Sequence, residues 1–105
     1  MSQTNMNSIQ YLVIIAGKKK KNKFLSLLGK YDAHAIETVY AHGSVKPNTI
    51  AAAFGLVDGQ RKVVISCLMK TENAKELINI LNKDYKFDKP NTGFAFCIPV
   101  EGLAF

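Results

Sequence analysis

The sequence predicts a single α+β domain in which a strand-helix-strand unit occurs twice. Three observations carry this. A chain of 105 residues and 11.6 kDa has room for one core. Its 48% apolar and 21% charged residues form an ordinary globular balance, which excludes a disordered or collagen-like chain. Apolar periodicity then switches between the strand and helix repeats in the order strand-helix-strand, hairpin, strand-helix-strand.

Residues 1–8, MSQTNMNS, are polar and without periodicity and are expected to form a flexible N-terminal tail, leaving 9–105 as the domain. Ile9 to Ala16 is a β-branched, apolar run that reads as the first strand, ended by Gly17. Within 18–31, Phe24, Leu27, Leu28 and Tyr31 follow the i, i+3, i+4, i+7 spacing of an amphipathic helix. Ile36 to His42 alternates as a second strand, and Pro47-Asn48 marks a turn in the loop after it. Ala51–Val57, Asp58-Gly59 and Arg61–Met69 read as a hairpin, since Asp-Gly supplies the positive φ of a tight turn. Thr71 is expected to cap a second helix with Glu72 in its first turn and Ala74, Leu77, Ile78 and Leu81 as its buried stripe. Gly93 to Val100 closes the chain as the last strand.

This order is that of the ferredoxin-like βαββαβ sandwich, with an antiparallel four-stranded sheet. Two helices cover one face of such a sheet. Yet the first strand is apolar on both sides, with Ile9, Tyr11, Val13 and Ile15 opposite Leu12 and Ile14. The strand from Arg61 repeats the pattern, with Val64 and Leu68 opposite Val63, Ile65, Cys67 and Met69. A bare apolar face calls for cover, and a homo-oligomer supplies it. In the same layout Cys67 and Cys97 flank the first strand at roughly 9.5 Å, beyond disulfide reach.

The longest apolar stretch, Tyr11 to Ala16, is six residues and far too short for a membrane span. Met1 to Gln10 carries no basic residue of the kind that opens a secretory signal. With two cysteines and no metal-ligand spacing to His34 or His42, the expectation is a cytoplasmic protein without a metal site. No Ser-His-Asp or Cys-His pattern indicates a catalytic centre, so no enzyme activity is expected.

The net charge of +6 favours anionic partners. Lys18, Lys19, Lys20, Lys21, Lys23 and Lys30 fall between Gly17 and Tyr31 with no acid among them. Four cations at the positive end of a helix dipole repel one another, and an anion or acidic partner would relieve them. Thirteen of the fourteen basic residues are lysine, with Arg61 the exception, a poor composition for reading nucleic-acid bases. The segment Gly93–Ile98, GFAFCI, resembles an RNA-recognition signature whose aromatics stack bases, but here it sits on the final strand. Two glycine-bearing loops, 42–49 and 89–94, could offer backbone amides to a phosphate, with Lys46 or Lys89 adding charge.

Taken together, the opening strand, Y-A-H-G at 40–43, R-K-V-V-I-S-C-L at 61–68 and P-N-T-G-F-A-F-C-I-P-V-E-G-L at 90–103 resemble the PII signalling superfamily, in particular its small PII-like members. The resemblance covers about residues 9 to 103. It implies a ferredoxin-like subunit packed as a homotrimer with the sheets facing inward. It also implies small-molecule sensing, commonly of adenine nucleotides, in clefts between subunits and without a required cofactor. Carried over, the ligand-binding positions are Gly43 and Ser44 after the second strand, and Asn91, Thr92 and Gly93 before the last. The partner-docking loop is 43–50, with Val45, Lys46, Pro47 and Asn48 at its centre. The regulated protein would be a transporter, enzyme or regulator. On this placement Gly93→Trp is expected to block the ligand without dispersing the trimer.

The chain also departs from classical members. Residues 43–50 contain no tyrosine, Phe94 replaces the lysine after the second glycine, and no basic residue follows Lys89. These departures leave open a ligand with fewer phosphates than ATP, a cyclic dinucleotide or another effector. Two rival readings are an acylphosphatase-type phosphate-binding enzyme, for which Arg61 is a weak candidate, and a basic RNA-binding module using the lysine run and Phe94.

Overall fold

The computed structural model describes residues 8–41, 62–89 and 92–102. The elements are β1 (Ile9–Gly17), a 3-10 turn (Lys18–Lys20), α1 (Lys21–Lys30), β2 (His34–Ala41), β3 (Lys62–Lys70), α2 (Thr71–Asp84) and β4 (Gly93–Pro99). The sheet order is β2-β3-β1-β4, with every neighbouring pair antiparallel. This is the predicted ferredoxin-like arrangement. The predicted hairpin arm 51–57, its Asp58-Gly59 turn and most of the tail 1–8 lie outside the described residues.

Several strand and helix ends shift by one residue, and three further boundaries differ from expectation for a local reason. β2 starts at His34, two residues early, because an irregularity between His34 and Glu37, with Ala35 at φ 53°, lets the strand pick up pairing before Ile36. The first helical segment opens as a 3-10 turn, and regular α-helix begins at Lys21. Thr71 is the first residue of α2, with Lys70 in the cap position, so the predicted cap lies one residue too late. The Thr71 hydroxyl instead accepts a 3.1 Å hydrogen bond from the Gln10 side chain, tying α2 to β1.

Register assigns the faces, because residues opposite one another share a side. Leu12, Ile14 and Ala16 of β1 pair with Cys67, Ile65 and Val63 of β3, and with Cys97, Ala95 and Gly93 of β4. That side meets Phe24 and Leu28 of α1 and Ala74, Leu77 and Leu81 of α2, all buried in one core. Each of the larger side chains, Phe24, Leu28, Leu77 and Leu81, gains roughly 1.5–3 kcal/mol by leaving water. Phe24 packs at 5.2 Å against Tyr85 and at 5.8 Å against Phe87, closing the end of the core beyond α2.

The opposite side is built from Tyr11, Val13 and Ile15, from Val64, Ser66 and Leu68, from Glu37 and Val39, and from Phe94, Phe96 and Ile98. No helix covers it. Val39 is 58% exposed, Ile98 50%, Phe96 40% and Tyr11 39%. The bare apolar face expected from the two-sided strands is therefore present.

Candidate functional site

Both segments expected to bind a ligand depart from the same end of the sheet. At that end Tyr40, Val63, Ala16 and Gly93 form one row across all four strands, and Ala41, Lys62 and Gly17 form the next. Gly43 and Ser44, like Val45, Lys46, Pro47, Asn48 and Asn91, lie outside the described residues. Their neighbours in the chain, Ala41 and Thr92, bound the positions where the two segments begin and end. β2 and β4 are the two edges of the sheet, so these positions are three strand spacings apart, roughly 14 Å. A single sheet thus holds them at one end but at opposite edges.

Gly93 is buried, with φ 149°, a conformation open to glycine alone. A Cβ there would lie 2.9 Å from the Ile15 carbonyl oxygen, 3.0 Å from the tip of Phe87 and 3.1 Å from the Ala16 Cβ. The expectation that Gly93→Trp would act only on a ligand is therefore corrected. Gly93 is packed against β1 and the core, and any side chain there first disturbs the sheet. Phe94 and Phe96 lie on the uncovered face with ring centroids 6.3 Å apart, nearly parallel.

The sequence does not single out Lys62, yet this lysine is only 6% exposed and is the buried charged residue among the described residues. It opens β3 opposite Gly17 and Ala41, at the end where the two segments depart. The one signal in the sequence is a charge heading an otherwise apolar strand.

The lysine run also differs from its expected state. Lys18 and Lys21 place their ammonium groups 5.5 and 5.4 Å from the centre of the Tyr40 ring, and Lys21 Nζ donates a 2.7 Å hydrogen bond to the Tyr40 hydroxyl. Part of the crowded charge is thus held by Tyr40, Lys21 through its hydroxyl and Lys18 beside its ring. His34 lies 3.4 Å from Asp32 with both side chains exposed, a surface pair of small energetic weight. Among the described residues no cluster of His, Cys, Asp and Glu could hold a metal, and no helix is long and apolar enough to cross a membrane.

Cys67 and Cys97 are free thiols on either side of Leu12, in the predicted row. Burial, and secondarily the neighbouring Cys97, pushes the Cys67 thiol up to about 11, so it stays protonated and inert at neutral pH. Burial also raises Cys97. An open groove of about 550 Å³, lined by Gln10, Thr71, Ala74, Ile78, Ala95 and Cys97, runs between α2 and the β4 edge, away from Gly93.

No family model matches the sequence, and no curated protein matches it. Solved structures do match. A protein of Thermus thermophilus described as PII-like is 13% identical, with a TM-score of 0.63 over 86% of this chain and 84% of the other. CPII of Thiomonas intermedia, bound to ADP, AMP and acetate, is 16% identical, with a TM-score of 0.62 over 85% and 82%. The B. subtilis GlnK–ATP complex is 13% identical, with a TM-score of 0.56 over 94% and 86%. The chain has the fold of the PII-like signalling proteins.

Proposed function

We propose that this chain is a non-enzymatic PII-like signal-transduction protein. It assembles as a homotrimer, senses an adenine nucleotide and regulates a partner protein through residues 43–50. The observation that carries the reading is the uncovered apolar sheet face on a fold shared with PII-like proteins, two of which are described in complex with adenine nucleotides. Closing that face against two other copies removes Val39, Phe96 and Ile98 from water. It also lets the β2 edge of one subunit approach the β4 edge of the next. The separation of roughly 14 Å between the two ligand segments is then bridged by the neighbour, and the cleft lies between subunits. Gly43 and Ser44 of one subunit and Asn91, Thr92 and Gly93 of the other line it, and Lys62 adds positive charge at the same end. The nucleotide must bind one arrangement of residues 43–50 better than another for a signal to pass.

A thermal-shift panel of AMP, ADP, ATP, cyclic di-AMP and 2-oxoglutarate tests the sensing step. A ligand at a hundredfold excess over its Kd adds about 2.7 kcal/mol, a shift on the order of ten degrees or more for a domain of this size. A shift with an adenine nucleotide is the expected result. No shift with any of them removes nucleotide sensing and leaves the assembly to stand or fall by its own test.

A further inference from the structure

We propose that the solvent face of α1 is a docking surface for an acidic segment of another protein, with Lys23 and Lys30 contacting its carboxylates and the Leu27–Tyr85 recess seating one apolar side chain. The two helices of the domain carry their charge in different ways. On α2, Glu72, Lys75, Glu76, Lys83 and Asp84 mix both signs along one helix, the ordinary pattern of a solvated face. On α1 and the turn before it, six lysines stand with no acid. No carboxylate offsets the first turn of α1, so its charge works against the helix dipole.

Tyr40 holds Lys18 and Lys21. Lys23 and Lys30 are exposed and make no ion pair or hydrogen bond among the described residues. Between them lies an open recess of about 330 Å³, lined by Asn22, Lys23, Ser26, Leu27, Lys30 and Tyr85. Two cations flank half-buried Leu27 and Tyr85, while Asn22 and Ser26 offer hydrogen bonds to a backbone. The lysines stand seven positions apart along the helix, about 10.5 Å. An extended segment in the polyproline II form repeats a face every three residues, about 9.3 Å, so carboxylates three positions apart match the two ammonium groups.

The same observations disfavour the other polyanions. The charge is lysine and not the bidentate arginine suited to phosphates, and the parallel Phe94–Phe96 pair lies on the opposite layer, out of reach for base stacking. Leu25 and Leu27 are half-buried, so α1 presents no fully exposed apolar anchor to insert into a bilayer. The surface lies on the helical layer, remote from the uncovered sheet face. It needs neither a nucleotide nor residues 43–50, so this inference is independent of the function proposed above.

The test is fluorescence anisotropy of the full chain with a labelled (Glu-Leu-Pro)5 peptide, at low and at physiological salt. Binding is expected, weakened by salt. Lys23→Glu with Lys30→Glu should lower affinity about tenfold or more, and Lys23→Gln with Lys30→Gln by less. The same charge reversal at Lys70 and Lys75, exposed residues away from α1, should change it by no more than about twofold. Circular dichroism of each variant confirms an unaltered fold. Three results would overturn the proposal: no binding at low salt, equal losses from the two reversals, or tighter Lys23- and Lys30-dependent binding to phosphatidylserine vesicles or single-stranded RNA.

Discussion

A Cβ at position 93 would meet the Ile15 carbonyl oxygen, the Phe87 ring and Ala16 at once, in a backbone conformation that L side chains rarely adopt. Gly93→Ala is therefore expected to destabilise the chain by about 2 kcal/mol or more, lowering Tm on the order of ten degrees. A thermal melt checks this, and an unchanged Tm would mean that the start of β4 relaxes freely. At this scale the sequence is informative where a rule is local and silent where burial is tertiary. The separation of Cys67 from Cys97 follows from strand order alone. The hold of Tyr40 on Lys18 and Lys21 joins side chains that are distant in the chain, and nothing in the local pattern announces it. Lys62 is buried although its side chain is among the least apolar available, which periodicity does not foresee.

The ends of the helices illustrate the scale of the element. α1 stops in a Schellman turn. Asp32, at φ 58°, donates to the Gly29 carbonyl oxygen at 3.4 Å, and Ala33 donates to that of Leu28 at 3.1 Å. α2 stops in a related way, with Lys86 at φ 62° and the Phe87 amide donating to the Leu81 carbonyl oxygen at 3.1 Å. Neither position is glycine, so the sequence carries no stop signal there, although the apolar stripes of both helices are plain. Aspartate tolerates the left-handed conformation better than lysine does. Lys86→Gly is expected to stabilise the protein by about 0.5–1 kcal/mol, raising Tm by several degrees. A melt showing no gain or a loss would indicate that the Lys86 side chain contributes packing of comparable size.

At the scale of the molecule, sheet order and the apolar face were legible, because two-sided apolar strands and a fixed count of helices leave one solution. The ligand was not, since on the reading proposed above its binding would depend on loop conformation and on a neighbouring subunit. The face itself gives the sharpest test of assembly. Ile98 lies on it opposite Tyr11, half exposed and remote from the helical core. Ile98→Glu puts a charge where subunits would meet, which costs several kcal/mol if the site is desolvated and little if it faces water. Light scattering is expected to give three times the mass of the chain for the native protein and a smaller mass for the variant, with circular dichroism unchanged. A native mass of one chain would end the trimer reading.

The sheet order also sets a timetable for synthesis. β1 emerges before the other strands and occupies an interior position, but its two hydrogen-bonding partners are β3 and β4, the latter the last of the four. Neither the first strand nor the core row around Leu12 is complete until residues 93–99 have left the ribosome. Ordering therefore waits on long-range pairing, the slow kind. During that interval the nascent chain shows two apolar surfaces, one to be closed by β4 and the helices and the other left to the assembly proposed above. The first closes at a rate fixed by the chain itself; in a homo-oligomer the second would close at a rate fixed by how many copies are near.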